Sequence, residues 1–148
     1  MSRKLCTIGF SQKSLRRFVQ LLQAAGVTKL IDIRLYNTSQ LAGFAKKEDL
    51  EFICETFGIK YEHVVDLAPT DEIMKRYKKA DKDWPAYERD FTNLLVQRNV
   101  IKLWETDLFD PGVNCLLCAE HEPQHCHRRL VAEHFQRAYP DIEIQHLI

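Results

Sequence analysis

No stretch of this chain approaches the roughly 20 consecutive apolar residues that a membrane span requires, so no spanning helix is expected. The first residues run straight into a strand-like segment without the apolar core of a signal peptide, and the expected location is cytoplasmic. Charge of one sign is also missing, because 21 Lys and Arg offset 21 Asp and Glu. The strongly basic footprint of a general nucleic-acid binder is therefore absent; nucleic acid stays possible as a partner but is not indicated by net charge. There is no G-x-G-x-x-G and no Walker A sequence, which makes the dinucleotide and P-loop readings poor, and no cofactor is expected. The five cysteines are an odd count for a disulfide framework. In a strand, Cys115 and Cys118 would face opposite ways about 10 Å apart, beyond the roughly 7 Å that a disulfide spans between Cα atoms. Internal repeats, low-complexity segments and linkers are absent too. The 148 residues read as one domain, 1–148, with enough chain for a real core. Oligomeric state is left open.

What is present is an alternation of periods. Strands are expected at 5–9, 29–34, 59–65, 113–119 and 142–147, the third shorter than this span and the last with an antiparallel edge as its alternative. Helices are expected at 13–25, 47–57, 71–82, 85–98 and 124–139, with Leu15, Phe18, Val19 and Leu22 showing the i, i+3, i+4, i+7 spacing of a buried stripe. Residues 35–46 form a long polar loop of the kind that is often functional. The basic run Lys75, Arg76, Lys78, Lys79, Lys82 reads as a solvated face, with a phosphate-rich partner as the alternative. Strands alternating with helices define a three-layer α/β fold, a mostly parallel sheet of about five strands with helices on both faces.

The chemistry gathers at one place. The run from Cys115 to Arg129 starts as a buried strand, turns through Glu120 and His121, and enters a helix with Pro123 as its first residue. Cys126, His127 and Arg128 then fall in its first turns, where helix N–H groups favour anions and thiolates. Ligands of open α/β sheets bind outside the carboxyl ends of the strands. Asp32 and Arg34 end a neighbouring strand on one face, as either an anion clamp or a structural ion pair. Glu120 is a candidate general acid or base, expected to be partly buried; the alternative is a loop cap or a partner of Arg128. Cys126 is a candidate nucleophile or a buried structural cysteine. His127 lies on the packed side of its helix and, with Ser11, Tyr36 and Ser39, completes the ligand-binding candidates beside Arg34 and Arg128. The crowding of Cys118, His121, His125, Cys126 and His127 raises a metal. Their spacing fits no usual zinc pattern, and adjacent helical residues point about 100° apart, so no metal ligand is assigned.

Together, Thr7-Ile8-Gly9-x-Ser11, Asp32-x-Arg34 with Ser39, Gly43-Phe44, Tyr61-x-His63, and Cys118-Ala-Glu120 followed by Cys126-His127-Arg128 resemble the domain-of-unknown-function 488 family over most of the chain. Phe10 stands where that family often has histidine, and Asn37 where proline is common, so no base is assigned on the first loop. The resemblance implies a fold and a set of motif residues but no reaction. The residues favour an enzyme, a hydrolase or group transferase. It would act on a small anionic, phosphorylated or nucleotide-like ligand at the carboxyl ends of strands one, two and four. Arg34 and Arg128 would hold the anion, and Glu120 with Asp32 would move protons. The alternatives are a non-catalytic anion or nucleic-acid binding module, and a zinc or redox protein built on the cysteine–histidine cluster.

Overall fold

The structure is a computed structural model that describes residues 3–38 and 40–148. Ser39 lies outside the described residues. Strands β1 (Arg3–Gly9), β2 (Lys29–Asp32), β3 (Lys60–His63), β4 (Asn114–Cys118) and β5 (Ile142–Leu147) form one sheet in the order β3-β2-β4-β1-β5. Every neighbouring pair is parallel. The last strand is a parallel edge and not the antiparallel alternative: β5 pairs with β1 from Arg3↔Ile142 to Ile8↔Leu147, which also starts β1 two residues before the expected Leu5.

Helices α1 (Leu15–Ala24) and α2 (Lys47–Thr56) cover one face, and α3 (Asp71–Lys79), α4 (Trp84–Gln97) and α5 (His127–Ala138) cover the other. The handedness of parallel crossovers explains this split. The chain moves one way along the sheet through β1–α1–β2–α2–β3, then returns to β4 and on to β5, so the later helices pack on the opposite face. Alternation along each strand feeds both cores. Cys6, Ile8, Cys115 and Leu117 meet Phe18, Leu22 and Leu50. Leu5, Ile31 and Leu116 meet Phe91, Leu95 and Phe135. Fully burying one such side chain contributes about 1.5–3 kcal/mol. Among the described residues no helix is long and apolar enough to cross a membrane.

Local signals set the helix ends. Ser14 and Thr70 accept from the amides of Arg17 and Ile73, and Asp83 caps Ala86 with Pro85 just inside α4. The start of α5 differs from expectation. It begins at His127, three residues after Gln124, and Pro123 accepts through its carbonyl in the preceding turn rather than opening the helix. A proline φ suits a turn as well as a first helical residue. Cys126 is therefore the residue before the helix, in extended backbone at φ −133° and ψ 140°.

Candidate functional site

The loops after β1 and β4 leave towards opposite faces, so the sheet's switch point lies between these strands. The crevice expected there is filled by backbone. Phe10 N donates to Cys118 O at 3.2 Å and Ser11 N to Ala119 O at 3.0 Å, extending the ladder past both strand ends. Gly9 permits this closure: a Cβ on it would stand 1.6 Å from the Glu120 carbonyl oxygen. Ser11 is held in that closure and does not line the cleft described next.

The open space lies beside it. A cleft of about 360 Å³ is bounded by the chain after β2 (Arg34, Leu35, Tyr36), by α3 and α4 (Met74, Tyr77, Lys78, Trp84, Tyr87), and by Cys118–Glu120 with His125–His127. Strand β1 contributes no lining residue, so the cleft joins strands two and four only. Trp84 and Tyr87 are stacked at 5.0 Å, Tyr77 lies 5.0 Å from Tyr87, and the ring of His125 is stacked with Trp84 at 5.0 Å. Lys78 and Lys82 line the cleft and make no ion pair among the described residues, whereas Lys75 and Arg76 are paired on the helix surface. The basic run is thus divided between a solvated face and a cleft wall. Tyr36 is exposed beside the cleft and donates to Asp71 at 3.2 Å.

Arg34 and Asp32 form a buried two-pronged pair, Nε to Oδ1 at 2.8 Å and Nη2 to Oδ2 at 2.7 Å. Tyr61 donates to the second Asp32 oxygen at 2.5 Å, and Asn37 Nδ2 donates to the Tyr61 oxygen at 3.2 Å. Arg34 also reaches Ala45 O at 2.7 Å, and the ring of Phe10 faces its guanidinium at 5.2 Å. Asp32 has no exposed surface and does not line the cleft. Its observed role is to position Arg34, which does.

Arg128 departs furthest from expectation. Its side chain is fully buried and absent from the cleft lining. It donates to Thr7 Oγ1 at 3.3 Å, to Glu120 O at 2.5 Å and to His121 O at 3.0 Å. The two-arginine anion site does not form, because both guanidinium groups are engaged and Arg128 sits behind the Gly9 closure. Nor does Arg128 pair with the Glu120 carboxylate; it holds that residue's carbonyl. The carboxylate itself is exposed at the cleft rather than partly buried, and makes no hydrogen bond or ion pair among the described residues.

At the inner end of the cleft Cys118, Cys126 and His127 converge, their ligand atoms all within 4.8 Å of one another and all buried. The extended backbone at Cys126 makes this possible. Since that residue precedes the helix, the 100° separation expected for adjacent helical positions does not apply. His127 Nε2 lies 2.7 Å from the Ile33 carbonyl, which can only accept, so Nε2 carries the proton. Nδ1 is then the nitrogen without a proton, and Cys118 Sγ stands against the ring, 3.4 Å from Nδ1 and 3.9 Å from Nε2. Burial raises thiol pKa values, and pushes Cys6 to about 11 and Cys54 to about 12. At Cys126 burial acts in the same direction but is outweighed by the hydrogen bond from Cys118, by the adjoining His127 side chain and by the charge of Arg128, which hold this thiol well below its ordinary value. Cys118, donating to Cys126 and buried, is raised.

A thiol-labelling experiment checks this ordering. In reduced, metal-free protein a small alkylating reagent is expected to modify Cys126 first, with a pH–rate profile below the ordinary thiol range of about 8.5. A shift of two pKa units leaves about a hundredfold less thiolate, so Cys6 and Cys54 are expected to react at least that much more slowly. Labelling of Cys126 only together with the other four, on unfolding, would show that the floor of the cleft is closed.

Fold and site together define an all-parallel, three-layer α/β protein with a thiol–imidazole cluster at the carboxyl ends of its central strands. The chain belongs to the family described as domain of unknown function DUF488, whose model matches residues 14–135. No curated protein and no solved structure matches it. The aromatic wall of Tyr77, Trp84 and Tyr87 was missed from sequence, where it reads as core periodicity. The available signal was three aromatic residues within eleven positions, with Lys78 and Lys82 between the first two.

Proposed function

We propose that the protein is an enzyme, a hydrolase or group transferase, that acts on a small anionic molecule with a flat ring, of the nucleotide kind, held in this cleft. The observation that carries the reading is Glu120: a carboxylate without a partner among the described residues, opening on an aromatic cleft whose inner end is a thiol–imidazole cluster. A module that only binds anions would hold that carboxylate in a salt bridge, away from an anionic ligand. The ring stacks on the Trp84–Tyr87 wall, where aromatic pairs gain about 0.5–1.5 kcal/mol beyond area burial. Lys78 and Lys82 face the anionic group. Glu120 transfers the proton, and the cluster of Cys118, Cys126 and His127 lies where the reacting atoms come to rest.

Trp84 supplies the test. Titration with a panel of nucleoside monophosphates is expected to quench its fluorescence, and Trp84→Phe to abolish the response while buried Trp104 stays silent. Glu120→Gln is expected to keep the quenching but lower release of phosphate or base from the bound nucleotide by about a hundredfold or more. Absence of quenching by every nucleotide at millimolar concentration, or full turnover in Glu120→Gln, would refute the proposal.

A further inference from the structure

We propose that Cys118, Cys126 and His127 form a binding site for a thiolate-preferring divalent cation of the zinc class, with its fourth coordination position open to the cleft.

Four observations support this site. First, the donors are close enough: in tetrahedral coordination, with bonds of about 2.3 Å to sulfur and 2.0–2.1 Å to nitrogen, ligand atoms lie roughly 3.5–3.8 Å apart. Here the three lie within 4.8 Å of one another, and one sulfur–nitrogen separation is already 3.4 Å. Second, the imidazole is prepared as a ligand. Donation from Nε2 to Ile33 O fixes the tautomer with Nδ1 bare and 3.4 Å from Cys118 Sγ, the tautomer that a backbone carbonyl imposes on metal-ligating histidines. The T-shaped contact with Phe91, ring centres 5.5 Å apart, holds the ring in place.

Third, the charge balance favours it. Binding requires both sulfurs as thiolates, so two negative charges neutralise the cation and the proton that Cys118 shares with Cys126 leaves to solvent. Arg128 assists that loss. It is a fully buried positive charge bonded only to a hydroxyl and two carbonyls, with no carboxylate partner among the described residues. Fourth, three protein ligands with one position open is the composition of a catalytic rather than a structural zinc site. All three ligands line the cleft, so the open position faces the space where the ligand is proposed to bind. The role of that position rests on the enzyme reading above; the metal site itself does not.

The experiment uses the full chain without a polyhistidine tag, stripped with a chelator under reducing conditions. Titration with Co(II) is expected to give one equivalent per chain, tetrahedral visible bands and a sulfur-to-cobalt charge-transfer absorption, all displaced by one equivalent of Zn(II). Cys118→Ser, Cys126→Ser and His127→Ala are each expected to weaken binding by at least about a hundredfold, more than the loss of an outer-shell partner. Since such variants could fail to fold, wild-type protein provides a second readout: Zn(II) is expected to protect Cys118 and Cys126 from alkylation in peptide maps. Substoichiometric binding, no charge-transfer band, or unchanged labelling of both thiols would overturn the proposal. Trp84 quenching by a nucleoside monophosphate in the stripped protein reads the cleft independently, so failure of the metal site and failure of the enzyme reading are told apart.

Discussion

Replacing Arg128 by alanine is expected to destabilise the fold by about 3–5 kcal/mol, while leaving any affinity for a small anion in the folded fraction nearly unchanged. The side chain is the largest fully buried one in the chain, and it joins three parts of the sheet edge. Its Nε reaches Thr7 on β1; its terminal nitrogens reach the carbonyls of Glu120 and His121 beyond β4. Truncation leaves those partly buried carbonyls without this donor, at roughly 1–3 kcal/mol each. It also removes the strut beneath the Gly9 closure, against which Glu120 is set. Arg128→Lys keeps the charge but replaces a planar fork with a single point, so it is expected to recover less than half of the loss. Urea denaturation of the three proteins measures this directly. A variant that melts like the wild type but no longer binds an anionic ligand would return Arg128 to the ligand.

Much of the fold was legible because period and punctuation agree. Apolar runs such as Cys115–Cys118, and the nearly apolar Leu30–Ile33 broken only by Asp32, lie between amphipathic helices, and that pattern requires a parallel sheet with both faces covered. The cluster of Cys118, Glu120, Cys126 and His127 was legible for the same reason: a strand end and a helix start bring neighbours in sequence together in space. Three features were not. Pro123 gives the same local signal in a turn as at a helix start, so the backbone of Cys126, on which the convergence with His127 depends, was misplaced. Helical period reports that Tyr87 and Phe91 are covered but not what stands opposite, which hid the aromatic wall. The acceptors of Arg128 are main-chain carbonyls, and carbonyls leave no trace in a sequence. An arginine beside a motif then reads as a ligand group, although its partners are backbone.

The pair Asp32 and Arg34 poses the same choice with a sharper test. Asp32→Ala is expected to cost about 3–5 kcal/mol, the range for removing one partner of a buried ion pair. The reason is the charge left behind. Arg34 is 6 % exposed, and without Asp32 its guanidinium keeps only the carbonyl of Ala45 and the ring of Phe10. Tyr61, which donates to Asp32, loses its acceptor at the same time. Tyr61→Phe removes only the outer bond and is expected to cost about 1–2 kcal/mol. The double variant Asp32→Ala/Arg34→Met removes both charges, and replacing a whole buried pair by apolar groups is often neutral. It is therefore expected to regain most of the stability lost in Asp32→Ala, a coupling of at least about 2 kcal/mol in a double-mutant cycle. A general base would behave differently: Asp32→Ala would abolish turnover with little change in melting, and Arg34→Met would rescue nothing. Since both carboxylate oxygens already accept from Arg34 and Tyr61, away from the cleft, the expected result is a thermal and chemical stability loss that the second substitution repairs.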